Sequence, residues 1–185
     1  MDSRVAARAR YTSGAIAFHW IIAALIVLNF ALAWSAEGAS KAQAGQLMAT
    51  HKAVGITILT LTVLRIVWRM IHPVPPLVET LKAWEAALAK VVHALFYFLM
   101  LALPLSGWAM SSAADRPVSY FGLLQIPMLP IGPDRETAGM FNEMHGVFAT
   151  SMLVLFLLHV AAALKHQFID RDATLGRVLP FLRRA

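Results

Sequence analysis

The sequence predicts an all-α integral membrane protein, an antiparallel bundle of four transmembrane helices forming a single membrane domain over residues 1–185. Three observations carry that prediction. Of 185 residues, 59% are hydrophobic and only 14% charged, which lies outside the usual composition of a soluble domain. Apolar runs long enough to cross about 30 Å of hydrocarbon recur four times. The lysines and arginines collect at one set of helix ends and leave the other nearly bare.

The first run, Ala15 to Trp34, contains no charge, only His19 and Asn29 among its polar groups, with Ser13 as its expected N-cap. Ala31-Leu32-Ala33 resembles a signal-peptide cleavage site, but the apolar stretch is too long for a signal peptide and long enough to span. Met1 to Arg10 is expected to be a short basic arm. A polar loop, Ser35 to Gln46, leads to the second helix, Leu47 to Ile71, whose Lys52 and Arg65 lie near its ends, where long basic side chains reach the interface. Pro73, Pro75 and Pro76 stop it. The third helix, Trp84 to Met110, carries His93 and a kinking Pro104. Ser111 to Ala138 is expected to be an irregular outer loop with four prolines, and the fourth helix covers Ala138 to Gln167. A basic tail, residues 170–185, follows.

Orientation follows from charge. Twelve basic residues fall on one side: Arg4, Arg8, Arg10, Arg65, Arg69, Lys82, Lys90, Lys165, Arg171, Arg177, Arg183 and Arg184. Four fall on the other: Lys41, Lys52, Arg116 and Arg135. Both termini are therefore expected in the cytoplasm. The five tryptophans, Trp20, Trp34, Trp68, Trp84 and Trp108, sit near helix ends as an aromatic belt would. The net charge of +6 thus sets topology against the lipid bilayer, and no nucleic-acid partner is expected. The absence of cysteine excludes disulfides, cysteine-held iron–sulfur clusters and covalently attached haem.

Chemistry is concentrated in the stretch from Met144 to Val160, where His145 and His159 are the polar ends of an apolar run. Fourteen residues return a helix to within about 40° of its starting face and carry it roughly 21 Å along its axis. The two imidazoles therefore share a face near opposite membrane surfaces. Antiparallel topology supplies partners at each level: His51 opposite His145 outside, and His19 opposite His159 inside, with His93 at the same inner depth as an alternative to His19. Ionisable groups at membrane depth mark function. Two histidine pairs suit two haem b groups, each iron held by two imidazoles with no open position for oxygen. The alternatives are satisfied core histidines and a haem-free membrane protein such as a transporter component.

Gly55, one turn after His51, and Gly146, beside His145, would let a macrocycle approach the backbone; ordinary helix packing is the other use of such residues. Arg65 reaches the inner level, where a guanidinium can pair with haem propionates. His166 shares the face of His159 and could hydrogen-bond a quinone carbonyl, whereas His72 needs no special role.

Together these residues resemble the bacterial cytochrome b561 family. The matching stretches are Phe18-His19-Trp20, His51-Lys52-Ala53-Val54-Gly55, Arg65-Ile66-Val67-Trp68-Arg69 running into Pro73-Val74-Pro75-Pro76, His93-Ala-Leu-Phe-Tyr97 with Leu103-Pro-Leu-Ser-Gly-Trp108, and His145-Gly146 with His159. The resemblance covers nearly the whole chain. It implies a di-haem b protein of the bacterial inner membrane. One member type is a superoxide oxidase, which passes an electron from periplasmic superoxide to ubiquinone. Related cytochrome subunits serve hydrogenases and formate dehydrogenases, so a protein redox partner is the alternative. If superoxide is the donor, Lys52 beside His51 is the residue expected to attract it, with Lys41, Arg116 and Arg135 in support.

Overall fold

The structure is a computed structural model describing residues 11–72, 74–76, 82–172 and 174–179. Arg4, Arg8 and Arg10 of the expected basic arm, Pro73, residues 77–81, and Arg183 and Arg184 of the tail lie outside the described residues. Four helices are long and apolar enough to span a membrane: α1 (Ser13–Glu37), α2 (Lys41–Ile71), α3 (Ala83–Ala113) and α4 (Arg135–Lys165). A π-helical turn, His166–Asp170, and a short 3-10 turn, Leu175–Arg177, follow α4.

The helix ends follow from local chemistry. α1 is capped by Thr12, not by Ser13: the Thr12 hydroxyl accepts the Ala15 N–H at 3.2 Å. The polar segment expected to be a loop over Ser35 to Gln46 is mostly helical, because Ser40 and Gln43 form a reciprocal capping box that starts α2 at Lys41. Only a tight connection at residues 38–40 separates α1 from α2. α4 starts at Asp134, whose carboxylate accepts the Thr137 N–H at 2.7 Å. The Thr137 side chain, together with that bond, holds the Asp134 carboxyl below its ordinary range.

The outer connection is not irregular throughout. Val118–Tyr120 (β1) and Leu124–Ile126 (β2) pair antiparallel, with Val118 opposite Ile126. Phe121 (φ 51°) and Gly122 (φ 77°) both take the positive φ that a tight hairpin requires. β1 packs on α2, where the Tyr120 hydroxyl meets Thr57 Oγ1 at 3.2 Å. The rest of the loop folds back on α3: Trp108 Nε1–H donates to the Pro127 carbonyl and the Leu129 N–H to Ser112 Oγ, each at 3.0 Å.

α3 packs most closely on α4, and α1 on α2, with α2 also against α3. At mid-depth Ile22 of α1, Leu99 and Met100 of α3 and Met152 of α4 form a buried apolar cluster, flanked by Ile26, Phe30, Leu61, Phe96, Tyr97, Phe148 and Leu155. Most other apolar side chains face outward, as expected where lipid replaces water as solvent.

At the inner end Trp68 ties α2 to α1. Its Nε1–H donates to Thr12 Oγ1 at 3.0 Å, and its ring stacks on His72 at 4.0 Å. Gly14 makes this fit possible, since a Cβ there would lie 2.5 Å from the Trp68 ring. Gly14→Ala is therefore expected to destabilise the bundle by about 1–3 kcal/mol through overpacking. The measurement is the midpoint of thermal unfolding in detergent, which should fall; an unchanged midpoint would show that Trp68 swings aside freely.

Candidate functional site

The outer pair is built by all four helices. His51 comes from the third turn of α2 and His145 from the third turn of α4, and their ring centroids lie 6.2 Å apart. Each ring is fixed from behind. His51 Nδ1–H donates to the Asn29 carbonyl of α1 at 3.1 Å. His145 Nδ1–H donates to the Leu103 carbonyl of α3 at 3.0 Å, with Ser106 Oγ at 3.1 Å. A carbonyl can only accept, so Nδ1 carries the proton in both rings. Among the described residues nothing bonds the Nε2 lone pairs, the arrangement by which proteins orient metal-ligating histidines.

Gly107 completes the cradle. A Cβ at that position would lie 3.1 Å from His145 Cε1 and 3.2 Å from Nδ1. The Leu103-Pro-Leu-Ser-Gly segment thus gives His145 a carbonyl, a hydroxyl and a flat floor. Asn29, Leu103 and Gly107 were not assigned a role from sequence. The signal that could have found them is the clustering of Pro104, Ser106 and Gly107 on one turn of an otherwise apolar span.

The inner level holds three histidines. His159 lies 6.4 Å from His19 of α1 and 6.1 Å from His93 of α3, centroid to centroid, with Phe96 edge-on at 5.2 Å. These distances can be tested against a ligated metal. With a metal–nitrogen bond of about 2.0 Å and a centroid about 1.1 Å behind the nitrogen, two imidazoles sharing one metal ion would lie at most about 6.2 Å apart, within the few tenths of an ångström that bond lengths vary. All three separations fit. His19 is half-buried, and His93, although it faces His159, is the more exposed of the two.

Arg65 lies near enough to His19, His93 and His159 to act electrostatically on each. Its guanidinium sits over the Tyr97 ring at 5.5 Å, and that of Arg69 at 5.7 Å. Among the described residues neither makes an ion pair with a carboxylate, so both keep their charge for an anion. Gly55 is half-buried, its nearest foreign atom the Asn29 amide nitrogen, 3.9 Å from where a Cβ would stand. Gly146 is exposed and lines a shallow groove along α4 with Val147, Thr150 and Val154. Lys52 is half-buried beside His51, and Arg116 is close enough to repel it.

His166 stands apart from both pairs. It opens the π-helical turn and turns Nδ1 toward Asp172 Oδ2 at 2.8 Å. His72 is committed to Trp68, through ring stacking and an Nδ1–H bond to the Trp68 carbonyl at 3.0 Å. Nearby, Trp20 Nε1–H donates to the Val178 carbonyl at 2.8 Å, and Arg177 donates to the Pro76 carbonyl, so the segment after α4 is tied across the inner ends of the other helices.

The family model of the prokaryotic cytochrome b561 matches residues 10–181. The chain is 34% identical over 177 residues to cytochrome b561 homolog 2 of Escherichia coli (strain K12), covering 92% of this chain and 91% of that one. Cytochrome b561 homolog 1 of the same organism is 27% identical over 175 residues, 92% of this chain and 97% of that one. The probable superoxide oxidase CybB of Yersinia pestis is 27% identical over 176 residues, 92% of this chain and 96% of that one. Four spanning helices, histidines facing one another at two levels and these matches together show that the chain belongs to the prokaryotic cytochrome b561 family, multi-pass membrane proteins that bind haem b and transfer electrons.

Proposed function

We propose that this protein is a di-haem superoxide:ubiquinone oxidoreductase of the bacterial inner membrane, with both termini in the cytoplasm. The observation that carries the proposal is the presence of histidine rings at metal-ligand spacing on two membrane levels. Haem b held by two imidazoles supplies one-electron transfer without an open iron position. His51 and His145 hold the outer group, their Nδ1 protons fixed by Asn29 and Leu103. His159 and His19 hold the inner one, with His93 as the alternative to His19. Arg65, joined by Arg69, pairs with the inner propionates, and Gly55 gives the outer macrocycle room. Ile22, Leu99, Met100 and Met152 keep water out of the layer between.

Superoxide is a small anion, so the outer site benefits from local positive charge that raises encounter rates. Lys52 stands beside His51 and supplies it, with Lys41, Arg116 and Arg135 in the outer segments. Glu37, Asp115, Asp134, Glu136 and Glu143 offset the net charge there, which leaves placement as the decisive factor. The named relative in Yersinia pestis supports this donor. Ubiquinone is reduced at the cytoplasmic end, where His166 offers a ring nitrogen to a quinone carbonyl.

One observation favours a second reading, a cytochrome subunit that relays electrons from a partner dehydrogenase or hydrogenase to quinone. The outer hairpin exposes Phe121, Leu123 and Leu124, a surface on which a protein donor can dock. Rapid mixing with superoxide separates the two. Haem reduction should weaken with added salt, because screening shortens the field. It should fall about tenfold or more in Lys52→Glu at low salt with haem content intact. A rate indifferent to both changes would overturn the superoxide reading in favour of a protein donor.

A further inference from the structure

The inner end of α4 carries a cluster of ionisable groups separate from the histidine pairs. His166 Nδ1 lies 2.8 Å from Asp172 Oδ2 and 3.1 Å from Asp170 Oδ2. The other oxygen of Asp172 accepts the Thr174 N–H at 2.8 Å. Arg171, in the left-handed region at φ 54°, reverses the chain, so that the Asp172 N–H also bonds the His166 carbonyl at 3.1 Å. Both the backbone and the side chain of Asp172 are thus folded onto His166. Among the described residues the Asp172 side chain is only 6% exposed and that of His166 14%.

The groups around the ring are Asp170 and Asp172 after α4, Lys165 on α4 and Glu85 on α3. Lys165 Nζ bridges Asp170 at 2.6 Å and Glu85 at 3.1 Å. Two carboxylates therefore contact one imidazole, and Lys165 ties one of them to a third, Glu85. Histidine and two aspartates at this spacing could also gather a metal ion. The ammonium already holds Asp170, however, and Thr174 already holds one oxygen of Asp172, so a cation would have to displace both. Burial raises the Asp172 carboxyl, yet the bonds from Thr174 and His166 outweigh it and hold it below its ordinary value. A carboxylate that stays ionised beside Nδ1–H leaves Nε2 as the ring nitrogen that, among the described residues, has no bonded partner.

We propose that Asp172 is a positioning residue for quinone reduction: it holds His166 with Nδ1–H on its carboxylate, so that Nε2–H delivers the proton to the quinone oxygen. The proposal rests on the quinone site placed at His166. Ubiquinone takes two electrons, one from each of two superoxide ions that leave as dioxygen, and two protons from cytoplasmic water. For each proton the Nε2–H bond breaks and an O–H bond forms on the quinone. The ring keeps Nδ1–H on Asp172 and regains its Nε2 proton from water, while the carboxylate stabilises the doubly protonated ring between transfers. The arrangement follows the logic by which an aspartate orients a histidine for proton transfer in hydrolases.

The test uses the full chain with haem bound, reduced by dithionite and mixed with ubiquinone-1. Asp172→Asn should lower kcat about 100-fold, leave KM and haem content near the parent values, and enlarge the solvent deuterium isotope effect. Asp172→Glu keeps the carboxylate and should recover kcat to within about tenfold of the parent. An unchanged kcat in Asp172→Asn, or a rise in KM alone, overturns the proposal. Should Asp172→Asn fail to assemble, the glutamate variant decides, and loss of its kcat with haem intact overturns it. Activity abolished by EDTA and restored by Zn2+ alone would make the cluster a metal site and overturn it too. His166→Ala separates the layers: unchanged quinone turnover there defeats the quinone site itself. A slow His166→Ala with a normal Asp172→Asn defeats only the positioning role.

Discussion

Purified His159→Ala is expected to carry half the haem of the parent protein and to reduce ubiquinone no faster than background. His159 has the largest expected effect of any single residue, because it faces both candidate partners, His19 at 6.4 Å and His93 at 6.1 Å. His51 and His145 are untouched, so the remaining haem should still be reduced by superoxide. The two partners are then separated by haem counts on His19→Ala and His93→Ala. The half-buried position of His19 predicts loss in the first and retention in the second. The reverse result would reassign the inner ligand to His93, and full haem in His159→Ala would overturn the inner pair altogether.

Gly107→Val is expected to remove the outer haem while leaving the inner one in place. Even the first carbon of a side chain at that position presses on His145 at 3.1–3.2 Å. The ring cannot retreat without losing its bond to the Leu103 carbonyl. A tilted His145 points Nε2 away from His51, and ligation on that side fails. Reduction by superoxide should disappear with the haem, whereas dithionite should still reduce the inner group. Gly107→Ala should show the same defect in weaker form. Full haem content with an unaltered spectrum in the valine variant would show that His145 is held by something other than its seat on α3.

The sequence made the four spans legible because lipid-facing helices need only length and apolarity, and both are local properties. The pairing of His51 with His145 was legible for a related reason: antiparallel connection converts residue number into depth. Depth alone could not separate His19 from His93, since both stand within ring distance of His159. Burial, which differs between them, is tertiary. Hydropathy also hid the true start of α2, because Ser40 and Gln43 begin a helix through hydrogen bonds that an apolar count does not register. The hairpin on α2 was hidden behind the prolines around it. The carbonyls of Asn29 and Leu103 carry no side-chain signature at all. Only the folded chain shows that a backbone oxygen orients each outer histidine.

The buried layer of Ile22, Leu99, Met100 and Met152 has an electrical consequence. An apolar layer disfavours water and ions, so in the proposed mechanism charge crosses it as an electron alone. In the proposed orientation the electron moves inward, and the protons that meet it on quinone are drawn from the same inner side. Nothing compensates the transfer, so each turnover adds to an inside-negative membrane voltage and is opposed by it. The two levels span roughly 21 Å of a ~30 Å core, which makes the opposing work about 1.6 kcal/mol per 100 mV. A protein built this way is coupled to the energy state of its membrane without a pump, a gate or a moving part.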